Sequence, residues 1–223
     1  MHYSFNHSDA IKRSWRLLME NKILIVFTLI YFIIYVVNYF SVENAQQIGS
    51  YSVVFMSNIL MVIIALIFQI GIIRTALQIT RGHKLTNNEI KRNFWMPKLW
   101  IPVFVISVLY ALMLFVGFIF LIIPGIWIMI RLTFSVTAYI DRKEGFSEAF
   151  ARSWEITKNN FWEVLLYYII SLGLTLLGLI CLGIGTIFTL PLIYIYSIML
   201  YRTISGESDV PAEQDLYEMH IVD

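Results

Sequence analysis

Apolar residues in this chain come in long unbroken runs, about 23–40, 53–73, 101–123, 126–144, 164–182 and 186–201. Most of the runs reach the roughly 17–25 residues that carry a helix across a ~30 Å hydrocarbon core. Three segments of a different pattern separate them. In residues 8–22, Ile11, Trp15, Leu18 and Met19 share one helical face, and in residues 147–160 Phe150, Trp154 and Thr157 do so together with Phe146 just upstream. A third segment, 86–96, opens with Thr86-Asn87-Asn88-Glu89, the spacing of a capping box. The pattern predicts an all-α polytopic membrane protein of six transmembrane helices in three hairpins, each preceded by a short amphipathic interfacial helix. For residues 8–22 the alternative is a helix docked on the inner ends of the bundle.

Local signals predict where these elements begin and end. Ser8-Asp9 and Ser147-Glu148 read as helix starts. Pro102 falls in a first turn, where its missing N–H is no loss. Pro124-Gly125 is expected to end the third span and form the tight turn before the fourth, and Gly183-Ile184-Gly185 the turn before the sixth. The polar stretch from Ser41 to Ser52 reads as a loop, and Gly173 and Gly178 as close-packing residues. Residues 1–204 form the transmembrane domain and 205–223 an acidic cytoplasmic tail. The first apolar run is too long for a cleaved signal peptide and lacks a small-residue cleavage site after it.

Composition sharpens the class: 59% of residues are hydrophobic and 14% charged, with a mean hydropathy of +0.74. The positions of the cations matter more than the net charge of +1. Lys12, Arg13, Arg16 and Lys22 precede the first span. Arg74, Arg81, Lys84, Lys91, Arg92 and Lys98 lie between the second and third, and Arg142, Lys143, Arg152 and Lys158 between the fourth and fifth. Arg202 follows the sixth, and Arg131 alone lies within a span. The positive-inside bias then puts both termini in the cytoplasm.

An internal repeat underlies the pattern. Aligning 8–21 with 147–160 pairs Ser8/Ser147, Ala10/Ala149, Arg13/Arg152, Ser14/Ser153, Trp15/Trp154 and Asn21/Asn160 without gaps, and Asn93-Phe94-Trp95 recurs as Asn160-Phe161-Trp162. One unit used three times accounts for this; convergence under a shared interfacial role is the alternative. The stretch IIPGIW with Arg131, followed by SEAFARSWEITKNNFW at 147–162, resembles the membrane domain of glycerophosphoryl diester phosphodiesterases and its stand-alone bacterial relatives. That resemblance implies a bacterial cytoplasmic-membrane protein with a six-helix plan. It carries over no activity, because in the phosphodiesterases the chemistry belongs to a separate soluble domain.

Candidate chemistry is sparse. His2, His7, His83 and His220 show no metal-ligand spacing, no phosphate-binding glycine loop occurs, and the single Cys181 forms no intramolecular disulfide framework. No catalytic residue, metal or cofactor is expected. Glu163 borders the fifth span, at the favourable positive end of its helix. Arg131 either snorkels to the outer headgroups or joins Tyr35, Asn38 and Asn58 in an outer-half polar pocket for an anionic headgroup or a carboxylate. Trp15, Trp95, Trp100, Trp154 and Trp162 map to the inner interface as anchors and Trp127 to the outer one. The expected function is non-catalytic binding or organisation of lipids, amphipathic peptides or partner membrane proteins. Anionic inner-leaflet lipid is the expected partner, a membrane-protein partner is possible in principle, and nucleic acid is not expected. The alternatives are a transporter or permease-like subunit, and an accessory subunit of a lipid-modifying enzyme.

Overall fold

The computed structural model describes residues 5–180 and 183–207. His2, Cys181, His220 and the acidic tail beyond Glu207 lie outside the described residues. Helices α1 (His7–Glu20), α2 (Ile23–Gln47), α3 (Tyr51–Thr80), α4 (Asn87–Phe94) and α5 (Pro97–Phe120) are followed by α6 (Ile122–Leu132) and α7 (Ser135–Arg142). Then come α8 (Phe146–Lys158), α9 (Phe161–Ile180) and α10 (Thr186–Ile204). Six segments are long and apolar enough to cross a membrane: α2, α3, α5, α6 with α7, α9 and α10.

The helix contacts repeat three times and close on themselves. Consecutive long helices pack together: α2 on α3, α5 on α6, α9 on α10. The first of each pair also touches the second of the pair before it, α5 against α3, α9 against α6, and α2 against α10. The short helices obey the same rule, α4 docking on α3, α8 on α6 and α7, and α1 on α10. The centre is built from the second members, α10 packing on α3, and α3 on α7. In the most apolar windows, 56% of α10 is buried against 11% of α2, α3 and α5, whose long apolar faces point outward.

The sequence repeat has a structural counterpart. Buried residues on α1 are Ala10, Ser14 and Leu18, and on α8 they are Ala149, Ser153 and Thr157. These are the same three positions of the alignment, so the small residues at the first two let both helices approach their partners closely. Asn21 and Asn160 also play one role, each side-chain amide donating to a carbonyl four residues back, Leu17 at 2.9 Å and Ile156 at 2.8 Å. The α4 copy docks through a different device. Phe94 stacks on Phe27 with centroids 4.2 Å apart and lies so close to α3 that a Cβ at Gly71 would sit 2.3 Å from its ring.

Several boundaries differ from expectation. The Thr86–Glu89 capping box is present in full, and those hydrogen bonds, led by the Thr86 backbone N–H, hold the Glu89 carboxyl below the usual range. For α1 the cap is Asn6, whose side chain accepts from Asp9 N–H, rather than Ser8. Helix α2 runs on through Ser41–Gln47, because Glu, Ala and Gln sustain a helix and no breaker occurs before Gly49. Helix α3 likewise continues past Arg74 to Thr80, ending before the left-handed Gly82. The turn between the third and fourth spans is Leu121, in extended conformation, not Pro124-Gly125. Pro124 falls in the first turn of α6, where no hydrogen bond is lost. Gly125 serves packing, since a Cβ there would lie 2.5 Å from the Phe118 ring. Gly178 packs against Thr189 in the same way, whereas Gly173 faces open space.

The fourth span is broken at Thr133–Phe134, and its freed backbone groups are met by α8. Thr133 and Ser135 turn their hydroxyls onto carbonyls of α6, Thr133 to that of Met129 at 2.7 Å and Ser135 to that of Leu132 at 2.8 Å across the break. At the break, Phe134 N–H donates to Ser153 Oγ at 3.1 Å, and that hydroxyl donates to the Arg131 carbonyl at 2.8 Å. Thr157 Oγ1 donates to the same carbonyl at 3.2 Å. One serine thus bridges the interrupted ladder from a neighbouring helix.

At one end of the bundle an ionic cluster ties together α3, α7 and α10. Arg81 reaches Asp141 and Glu207, both at 2.7 Å, and Arg202 Nε reaches Glu207 at 3.0 Å. Tyr201 donates to Asp141 at 3.3 Å and Arg202 to the Thr80 carbonyl. Burial alone would raise the Glu207 carboxyl, but hydrogen bonds from Arg81 and Arg202 outweigh it and hold the group below 4.5. The Arg81 guanidinium is held above its usual value, chiefly by its hydrogen bond to Glu207.

Two predictions follow from these contacts. Ser153→Ala leaves the Phe134 N–H unpaired and should cost about 1–3 kcal/mol, more than Thr157→Val, because Thr157 also bonds its own helix. Thermal unfolding in detergent measures both, and a Ser153→Ala variant as stable as the parent would count against the bridge. Because the Glu207 carboxyl is depressed in the folded state, its stabilisation is present at neutral pH and is lost as pH falls through the folded-state value. Glu207→Gln should therefore melt lower than the parent at pH 7, and the gap should begin to narrow near pH 4.5 and close as the pH falls through the folded-state value.

Candidate functional site

Helix α6 carries Trp127 and Arg131 one turn apart on the same face. Ser153 and Thr157 clamp α8 to the Arg131 carbonyl, which brings the neighbouring Trp154 alongside. The Trp127 and Trp154 rings meet edge to face at 4.7 Å and 90°. The Arg131 guanidinium carbon lies 5.2 Å from the first ring centroid and 5.5 Å from the second. Such contacts stabilise a cation by roughly 0.5–2 kcal/mol, but they satisfy none of its donors. Arg131 Nε and Nη1 are enclosed and find no acceptor among the described residues.

A cavity of about 410 Å³ adjoins the tryptophan pair. Met113, Ile128, Leu132 and Phe150 complete its wall, so it is almost wholly apolar. A fixed cationic fork beside an apolar slot fits a ligand with a planar or tetrahedral anionic head, phosphate or carboxylate, and a hydrocarbon body.

The four residues expected to form one pocket are distributed otherwise. Asn38 donates to the Ser57 carbonyl at 3.3 Å, joining α2 to α3. Asn58 borders a separate apolar groove of about 510 Å³ with Phe55, Val62 and Trp100, and Tyr35 is half exposed. Among the described residues no hydrogen bond or ion pair joins Arg131 to any of them. The reason is the sector each occupies: α2 and α3 pack on each other and on α10, while α6 packs on α5, α8 and α9.

Trp15, Trp95, Trp154 and Trp162 are all exposed to a substantial degree. The expectation that Trp127 and Trp154 lie at opposite interfaces is corrected by their ring contact, which puts them at one level. The cause is that α8 turns back along α7 to α6, so its middle reaches the break in the fourth span.

Two polar groupings escaped the sequence reading. His7 Nδ1 lies 2.5 Å from Tyr196 Oη, and its Nε2 lies 2.6 Å from Glu163. Glu163 therefore has a specific partner besides its favourable place in the first turn of α9. The signal available was an acid at the edge of a span, which calls for a cation or donor nearby. Thr133 and Tyr168 also share a hydrogen bond of 3.0 Å between α6 and α9. No group of His, Cys, Asp and Glu among the described residues has the arrangement of a metal site.

Searches of curated proteins and of solved structures each return no match. The comparisons show no link to the glycerophosphoryl diester phosphodiesterases. Residues 99–216 match the family described as Domain of unknown function (DUF7847); the match takes in more than half of the chain, which therefore belongs to that family.

Proposed function

We propose that this protein is a non-catalytic, multi-pass protein of the bacterial cytoplasmic membrane that binds lipids with anionic headgroups beside Arg131. In this reading the six spans form three hairpins, each preceded by an amphipathic helix at the inner interface, and both termini are cytoplasmic by the positive-inside bias. Arg131 then belongs at the inner interface rather than in the outer half. Helix α3 has 30 residues, about 45 Å at 1.5 Å per residue, against a core of ~30 Å. Roughly its last ten residues therefore stand clear of the hydrocarbon, and the boundary falls near Gly71 and Arg74. Arg131 is ten residues from Asp141, about 15 Å along the helix, and Asp141 is tied to the far end of α3 through Arg81. Arg131 thus reaches the same boundary.

The observation that carries the reading is a guanidinium held between two indoles with two enclosed donors that meet no acceptor among the described residues. An enclosed cation without a partner lowers stability, and its presence is accounted for if a headgroup oxygen completes it when lipid is bound. The apolar slot beside it suits the upper part of an acyl chain. A transport role is the second reading. It is favoured by the Glu163–His7–Tyr196 chain and by the Thr133–Tyr168 bond, which supply polar groups between helices.

The test is Arg131→Met, with phosphatidylglycerol carrying brominated chains as quencher of tryptophan fluorescence. The variant should bind about tenfold or more weakly, equivalent to ~1.4 kcal/mol. Stripped of lipid, it should melt at or above the parent temperature, since a costly cation is gone. Unchanged quenching would refute the proposal, and a lower melting temperature would make Arg131 a structural residue.

A further inference from the structure

A second cavity, of about 620 Å³, opens where the end of α1 and the start of α2 face α4. Two lysines from different elements border it, Lys22 at the α1–α2 junction and Lys91 on α4. Neither ammonium has a hydrogen bond or ion pair among the described residues, although Glu20 stands on the same rim. Asn21 and Asn87 supply further polar groups there. Below this polar rim the wall becomes apolar, through Ile23, Val26, Phe27 and Ile30 of α2. Val26 and Ile30 are about half exposed and continue into the outward apolar face of that helix. The floor is firm, because Phe27 is stacked on Phe94, which in turn is seated against Gly71.

The geometry points to a phospholipid site in this cleft, with Lys22 and Lys91 on the phosphate of an anionic glycerophospholipid and one acyl chain along Val26 and Ile30. Charge above and hydrocarbon below match the order of groups in one lipid leaflet. Two separately anchored ammonium groups act as point charges on a phosphate, and near a membrane surface each contributes about 1 kcal/mol toward anionic lipid. The acid on the rim sets a limit on the ligand: Glu20 opposes a headgroup with several negative charges, so a singly charged head such as phosphatidylglycerol is the fitting class. This cleft shares no residue with the Arg131 site, and the inference stands independently of that proposal.

The experiment is native mass spectrometry of the delipidated full-length protein titrated with phosphatidylglycerol or phosphatidylcholine. The parent should retain one more tightly held phosphatidylglycerol than the Lys22→Gln/Lys91→Gln variant, with at least a tenfold loss in that step and little change with phosphatidylcholine. Val26→Trp, which fills the apolar wall without altering charge, should remove the same adduct. Lys84→Gln/Lys98→Gln, which removes two cations outside the cleft, should keep it. Arg131→Met should also keep it, so loss of the Arg131 proposal and loss of this one are separable. Equal binding by the parent and the Lys22/Lys91 variant would overturn the assignment. Equal loss in both lysine pairs would also overturn it, since the effect would then be one of general charge.

Discussion

A backbone N–H or C=O buried away from water must find a partner, and this constraint organises the molecule around the break in its fourth span. Thr133 and Ser135 draw their hydroxyls onto local carbonyls, the chain turns at Thr133–Phe134, and Ser153 accepts from one side of the gap and donates to the other. A helix outside the span is therefore needed to complete the span. The docking of α8 has a defined register as a result, since a shift of one residue would remove both hydrogen bonds together. The same clamp puts Trp154 against Trp127 and leaves the Arg131 side chain between them.

The recurring pattern of helix contacts divides the labour between packing and chemistry. Small residues at Ala10, Ser14, Ala149 and Ser153 set the approach of α1 and α8, and Gly71 does the same for α4. Burial is concentrated in α10, α7 and the last third of α3, while α2 and α5 expose long apolar faces suited to lipid. The chemistry differs between units even though the packing repeats. At α1 the buried Ser14 hydroxyl donates to the Met199 Sδ at 3.2 Å, a weak acceptor on a side chain. At α8 its counterpart mends a backbone. Cations are also used in two ways. Arg81 and Arg202 are neutralised by Asp141 and Glu207, which binds three spans together, whereas Arg131 has no carboxylate partner among the described residues.

Much of this architecture could be read from residue order alone. Six apolar runs, three amphipathic segments, the Thr86–Glu89 box and the Ser-Trp-Asn repeat are local signals, because they depend on propensity and periodicity within one or two turns of chain. The repeat contained the small residues that the structure buries, Ala10, Ser14, Ala149 and Ser153, but the periodicity pointed to faces centred on Trp15 and Trp154 instead. Arg131 stood out for an equally local reason, a charge inside an apolar run. Boundaries failed where polar residues continued a helix, as at Ser41–Gln47 and beyond Arg74, because a membrane edge and a helix end are separate events.

What only the tertiary structure decided is partnership. Nothing near Glu163 in sequence points to His7, and nothing near Arg131 points to Trp154, since each pair is brought together by a helix that returns along a distant neighbour. The expected grouping of Arg131 with Tyr35, Asn38 and Asn58 rested on estimated depth, and depth does not say which side of a bundle a residue faces. The break at Thr133–Phe134 was hidden for a similar reason. Its sequence is apolar enough to span, and a backbone gap buried in the protein is stable only because Ser153, 19 residues from Phe134 along the chain, arrives to close it.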